Sequence, residues 1–321
     1  MRSERRVVTY LAFLSVILAF GVDTALPAFD ELRDEFDLGR GSGEVSLVVT
    51  YYLLGMAAGQ MVWGTVSDRW GRRVPILVGL TLYGTAAVGA GLAQSMPTLL
   101  AARFVWGLGA ASPSVLRPAI ARDLYSGNQM ARVISFMMAV FLIGPAVAPS
   151  IGDGILRLGG WRLVFYASAP LAVIGMAWTV RFGETLPAER RRPLDLRATG
   201  RGIRAVVRTR ATIGYTMLSM FTFGAFFIYL GSSQPIIDEI YGYGEWFALI
   251  FGAVSIFIAA AVLTGERLIR RVGAAQVCLV AMITLVGWAA AFTVVTAVTG
   301  GVPRFGVWFG GVTVYGALTT V

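Results

Sequence analysis

Gly64-Thr65-Val66-Ser67-Asp68-Arg69-Trp70-Gly71-Arg72-Arg73 is the stretch that decides how this chain is read. It closes one apolar run, at roughly 45–66, and leads into another, at roughly 75–94. Each is long enough to cross a hydrocarbon core, which takes about 20 residues. Eight more such runs lie outward of it, at roughly 7–28, 98–119, 133–155, 161–181, 211–232, 246–265, 274–297 and 305–321. Ten spans of this length are helices, because a barrel strand needs only about ten alternating residues. The first run follows Arg2, Arg5 and Arg6 and superficially suits a signal peptide. Nine further runs and the charged Asp23 make it an uncleaved first helix instead.

Composition agrees. Of 321 residues, 56% are hydrophobic and 14% charged, where a soluble chain carries about 25% charge. Mean hydropathy is +0.71. The apolar fraction, the lack of a glycine period and the single Cys278 exclude disordered, collagen-like and disulfide-scaffold chains. With no histidine and one cysteine, the familiar zinc sites and the Ser–His–Asp and Cys–His arrangements are excluded too, and no cofactor is expected. A net charge of +9 would suit nucleic acid, but the basic residues, all arginine, sit in short loops between apolar runs, so no nucleic-acid partner is expected. With the N-terminus inside, twenty arginines fall on the cytoplasmic side and five outside. The remaining two, Arg103 and Arg117, lie within the fourth run.

The one long polar stretch, 182–210, divides the chain. The expected organisation is an N-terminal six-helix bundle at 1–181, a cytoplasmic linker at 182–210 and an incomplete C-terminal bundle at 211–321 with about four helices. The linker's arginines obey the positive-inside rule; contact with anionic lipid headgroups is the sharper reading. Asp68-Arg69-x-x-Arg72-Arg73 recurs as Glu266-Arg267-x-x-Arg270-Arg271, both between consecutive spans on the cytoplasmic side. Parallel repeats of this kind belong to secondary transporters that bind substrate between their halves.

Gly64-x-x-x-Asp68-Arg69-x-Gly71-Arg72-Arg73 resembles the loop 2–3 motif of the major facilitator superfamily. A glycine there lets two helices turn closely, the aspartate can cap a helix N-terminus, and the arginines can pair with a carboxylate at the base of helix 4, with Asp123 the candidate. Further motifs narrow the resemblance: Asp23-Thr24-Ala25-Leu26-Pro27, Arg103-x-x-x-Gly107-x-Gly109, Ala121-Arg122-Asp123-Leu124, Gly144-Pro145-Ala146-Val147-Ala148-Pro149, Trp161-Arg162-x-x-Phe165-Tyr166 and Glu184-Thr185-Leu186. Together these look like the drug:proton antiporters of the bicyclomycin/chloramphenicol-resistance (Bcr/CflA) type. The resemblance implies an all-α membrane protein of two six-helix bundles, a monomer in the bacterial cytoplasmic (inner) membrane with its N-terminus in the cytoplasm. Its partners would be a small-molecule drug, protons and the lipid bilayer. Asp153 departs from the family's usual glycine after Gly152. The family usually has twelve spans and this sequence stops at Val321, in what resembles helix 10. It is therefore expected to be a partial sequence that does not transport alone.

Charges inside spans mark function, because each costs about 2.5–3.5 kcal/mol at the membrane centre on the insertion scale. Asp23 and Arg103 both lie roughly 7–8 Å below the outer surface, at 1.5 Å per residue. Equal depth permits pairing across the bundle, and the carboxylate's protonation would respond to changes in pairing and solvation. A fixed ion pair between helices 1 and 4 is the simpler alternative; the resemblance assigns the proton-linked acid to this part of helix 1. Gly107 and Ser114 keep small side chains on the arginine's face, and Gly107-x-Gly109-x-x-Ser112 has no preceding strand, so it is no dinucleotide loop. Pro145 and Pro149 are expected to interrupt span five. With Gly144 and the set Gly64, Asp68, Arg69, Gly71, Arg72, Arg73 and Asp123, they form the expected conformational gate. Met137, Phe141 and Gly144 share one side of span five; Thr222, Phe226, Tyr229 and Ser233 share one side of span seven. Met and aromatic faces suit lipophilic, often cationic ligands, which makes Met137, Phe141, Phe226 and Tyr229 candidate cavity residues, against packing or lipid contact as the alternative.

The expected function is a proton-coupled multidrug efflux transporter. The alternative is a transporter for one specific metabolite, which would gather more buried polar groups than Gln60, Tyr229 and Gln234. A scaffold or receptor leaves Asp23 and Arg103 unexplained, and an enzyme lacks a nucleophile–base pair.

Overall fold

The structure, a computed structural model, describes residues 4–39, 43–191, 200, 204–205 and 207–320, and what it describes is helix joined by turns. The helices are α1 (Glu4–Asp23), α2 (Phe29–Glu35), α3 (Leu47–Trp70), α4 (Arg73–Gly91), α5 (Met96–Leu124), α6 (Gly127–Tyr166), α7 (Ser168–Phe182), α8 (Arg210–Pro235), α9 (Phe247–Val272), α10 (Ala274–Val298) and α11 (Phe305–Thr320). Each of the ten apolar runs is helical. Among the described residues seven helices are long and apolar enough to cross a membrane, or eight counting the bent pair Ile143–Tyr166 and Ser168–Phe182. That is fewer than the ten full spans expected, because runs five and six share the bent pair and Phe305–Thr319 is shorter than a complete crossing. The chain is a multi-pass membrane protein.

Small residues set the closest packing. α5 lies against α3, α4 lies against α5, and α7 covers α4. A Cβ on Gly107 would strike the carbonyl oxygen of Tyr52, and one on Gly55 the carbonyl oxygen of Phe104, so α3 and α5 cross almost backbone to backbone. Without a hydrophobic driving force between helices in lipid, such van der Waals contact is what joins them. α1 packs on α6, which in turn carries α9, and α9 meets α11. Gly144 faces Ala19 and Gly152 faces the Thr24 backbone. Span five therefore keeps its close packing on α1, while Asp153 turns to Arg157 at 3.0 Å. Apolar side chains such as Met61, Ile228 and Ile283 are exposed on the outside, as a hydrocarbon solvent favours.

The expected break in span five is corrected. Pro145 and Pro149 lie inside α6 with no departure from helical torsions; the non-helical residues are Gly159 and Gly160, the latter at φ +70°. Proline's own φ of about −65° fits a helix, whereas a left-handed torsion needs glycine. Glu31 closes this turn, its carboxylate accepting the Trp161 N–H at 2.7 Å, and Arg162 reaches Glu35 at 2.7 Å. These bonds hold the short α2 across the turn between spans five and six.

Candidate functional site

Arg103, on α5, is wholly buried. Its Nη1 donates to the Gly21 carbonyl at 2.9 Å and its Nε to the Val48 carbonyl at 3.0 Å. The guanidinium lies 4.6 Å from the Tyr52 ring centre, 4.8 Å from Trp106 and 5.7 Å from Phe165. Gly21 is where these groups converge, since a Cβ there would sit 2.7 Å from the Tyr52 hydroxyl and 2.9 Å from that of Tyr83. Aromatic faces and carbonyl dipoles are a fair substitute for water around a cation.

Asp23, 3% exposed, ends α1 two residues beyond Gly21. The expected ion pair does not form: among the described residues no salt bridge links Asp23 to Arg103. Equal depth put the two at one level, but Arg103 turns Nη1 and Nε to the backbone of α1 and α3 and its face to the aromatic rings, leaving Nη2 without a hydrogen-bond partner among the described residues. The result is a buried cation and a buried acid in one region, held separately.

A second polar cluster lies at the far end of α3. Arg72 donates from Nε to Asp123 Oδ2 at 2.8 Å and from Nη1 to Asp68 Oδ1 at 2.9 Å and Ser67 Oγ at 2.8 Å. The pairing of this motif with Asp123 is therefore present, carried by Arg72. The expected cap by Asp68 is not, because Asp68 lies in the last turn of α3 and faces Arg72. Glu184 caps α4 instead. It accepts the backbone N–H of Arg72 at 2.8 Å and of Arg73 at 3.3 Å, and also those of Thr185 and Leu186, both at 2.9 Å. Burial pushes the Glu184 carboxyl up, but these four donors outweigh it and hold it below its usual value. The cap is thus strongest above the ordinary carboxylate range and weakens as pH falls through the depressed value. Gly71 permits the approach with φ +83°, its α-hydrogen face set against the Glu184 carboxylate. Gly64 has open space around it, Arg69 lies 5.7 Å from the Trp70 ring, and the side chains of Glu266 and Arg270 in the second copy lie outside the described residues.

The candidate cavity residues are not drawn into one group. Met137 is buried, and the Phe141 side chain lies outside the described residues. Phe226 leans on Phe227 at 5.9 Å, while Tyr229 stacks on Phe251 of α9 at 5.8 Å. Thr222 instead lines a separate cavity of about 170 Å³ with Cys278 and Met282. Gln234 gives its amide to Asp30 at 3.1 Å. Sequence reasoning missed Glu184 as a cap and the rings around Arg103. An acid directly after an apolar run was the one available sign of the former.

A family model described as Major Facilitator Superfamily matches residues 11–321. An uncharacterized MFS-type transporter, YdgK of Bacillus subtilis, is 31% identical, over 82% of this chain and 65% of its own length. A bicyclomycin resistance protein homolog of Haemophilus influenzae is also 31% identical, over 85% of this chain and 68% of its own. The chain thus spans about two thirds of the length of these two relatives. In three dimensions it is similar to the xylose transporter XylE from E. coli in a partially occluded inward open conformation. The TM-score is 0.76 at 16% identity, with 99% of this chain and 85% of that one covered.

Proposed function

This chain belongs to the Major Facilitator Superfamily, and from that premise we propose that it is a proton-coupled exporter of lipophilic drugs. It is a membrane transporter and not an enzyme. The proposed units are 1–181 and 211–321, joined by a linker at 182–210, of which residues 192–199, 201–203 and 206 lie outside the described ones. The proposed place is the bacterial inner membrane, with the N-terminus in the cytoplasm and the protein acting as a monomer. One observation carries the reading: Asp23 is a buried acid without the cation expected beside it. Neutral, such a group suits its apolar surroundings; ionised, it must find water or Arg103. Proton uptake and release at Asp23 are therefore tied to which conformation the helices adopt, as coupled transport requires. Met137, Phe141, Phe226 and Tyr229 are the proposed drug contacts. The one-metabolite reading is weakened because Gln234, one of its few polar candidates, is engaged with Asp30.

The test uses the product of the complete gene in inside-out vesicles. An imposed proton gradient is expected to drive a cationic dye into them, and collapsing the gradient to stop it. Uptake indifferent to the gradient would refute proton coupling. Sidedness is checked with single cysteines at Arg191 and Tyr243 in a Cys278→Ser background. In intact cells a membrane-impermeant thiol reagent is expected to label position 243 and to spare 191; the reverse pattern overturns the topology.

A further inference from the structure

We propose that Arg33 and Glu239, with Asp30 and Gln234, form a latch that clamps the two parts of the transporter at the end opposite the Arg72 cluster. Substrate release at that end then requires the latch to open. The inference rests on the alternating-access reading above. Arg33 is 5% exposed; its Nη2 meets Glu239 Oε1 at 2.5 Å and its Nη1 meets Asp30 Oδ1 at 2.6 Å. The Gln234 amide donates to both Asp30 oxygens, at 3.1 and 3.2 Å, and its carbonyl oxygen accepts from Arg33 at 3.4 Å. Beside them Ser46 donates to the Gly231 carbonyl at 2.7 Å. Residues 30, 33 and 46 belong to the first part, and 231, 234 and 239 to the second.

The placement supports a latch. Ser46 directly precedes α3, whose other end carries Arg72; at 1.5 Å per residue these ends lie roughly 36 Å apart. The Arg72 cluster takes Asp68, Asp123 and Glu184 as partners, from the first part and the start of the linker. Among the described residues, the polar bonds joining the two parts gather instead at the Arg33 end. Glu239 reaches Arg33 from a π-helical turn, Ile236–Ile240, directly after Pro235. Such a widened turn is a frequent device at functional positions. A cavity of about 680 Å³, lined by Pro27, Asp30, Glu31, Gln234, Trp246 and Phe247 among others, opens onto the latch.

The charges suit opening as well as closing. Removing one partner of a buried pair leaves the other charge bare, which makes a simple buried pair hard to separate. Arg33 has two carboxylates. When Glu239 departs with the second part, Asp30 on the same short helix remains within reach. Asp30 is 55% exposed, so its pairing with Arg33 is the weaker one and that with Glu239, 19% exposed, is the bond that holds the parts.

The experiment places spin labels on cysteines at Asp34 and Tyr243 of the complete gene product, in a Cys278→Ser background, and reads the distance between them. Glu239→Gln and Arg33→Glu are expected to raise the ratio of wide to narrow populations by about ten-fold or more. The double swap Arg33→Glu with Glu239→Arg is expected to return it toward the starting value. Unchanged distances in Glu239→Gln, or a double swap as wide as the single variants, would overturn the latch. Should Arg33→Glu fail to fold, Glu239→Gln and the swap still decide. Dye efflux is measured in parallel. A distance shift in a protein that moves no dye upholds the latch and refutes the export reading, whereas efflux without any shift does the opposite.

Discussion

Asp23→Asn leaves a protein that inserts and folds but accumulates no dye beyond the level of empty vesicles under a proton gradient. Asparagine keeps the size of the side chain and much of its hydrogen bonding, and it removes only the titrating charge. The expectation that the variant folds follows from the geometry of Arg103. Were the two side chains an ion pair, neutralising Asp23 would strand a buried cation, at a cost of several kcal/mol, and neutralising Arg103 as well would restore folding. Arg103 is bonded to the Gly21 and Val48 carbonyls and lies among Tyr52, Trp106 and Phe165, while its Nη2 has no hydrogen-bond partner among the described residues, so neutralising Asp23 takes no bond away from it. Neutralising both residues is therefore expected to be no better than Asp23→Asn alone. Downhill movement of a neutral drug survives, because it needs the conformational cycle but not the proton. Gradient-driven efflux at the wild-type rate by well-expressed Asp23→Asn would remove Asp23 from the proton path, and misfolding rescued at Arg103 would make it a structural partner.

Much of this was legible in the residues, and what was not has identifiable causes. Apolar runs of about twenty residues announce helices because no other element can bury its backbone in lipid. Asp23 and Arg103 stood out for the same reason: charges are costly there. Their separation was not legible. Counting along two helices gives depth but not the direction in which a side chain points, and the groups around Arg103 come from three other helices as well as its own. The motif around Arg72 identified its partner Asp123 because a basic loop and a helix-end carboxylate are both local features. Its cap came from Glu184, 112 residues away from Arg72, and no local pattern can report such a distance. The break at Gly160 was misplaced onto Pro145 and Pro149 because proline is read as a breaker wherever it occurs. A helix within a bundle accommodates it, since neighbouring groups can satisfy the freed carbonyl. The pairing of Arg33 with Glu239 was illegible for the same reason as the Glu184 cap, since the two come from distant parts of the chain.

Arg72→Ala is expected to slow export at least ten-fold at equal surface expression. Arg72 is 8% exposed and holds Asp123, Asp68 and Ser67 together. Of the carboxylates it would abandon, Asp68 is 55% exposed and readily solvated, but Asp123 is only 12% exposed. Stripping a buried pair of one partner costs about 3–5 kcal/mol; allowing for the solvent that reaches this cluster, about 2–3 kcal/mol is a reasonable figure. At 1.4 kcal/mol per factor of ten, that shifts the balance between conformations that make and break the cluster by roughly 30- to 140-fold. Asp123→Asn alone costs less, because Arg72 keeps Asp68 and Ser67. Arg72→Lys does not restore the rate, since a single ammonium cannot present the two adjacent donors that face Asp123. The double variant Arg72→Ala, Asp123→Asn no longer strands a charge, so it is expected to export faster than Arg72→Ala alone. Initial efflux rates for the four proteins close a double-mutant cycle. Strictly additive losses in that cycle would show that the pair contributes nothing jointly to transport, and Arg72 would then be no more than a loop charge.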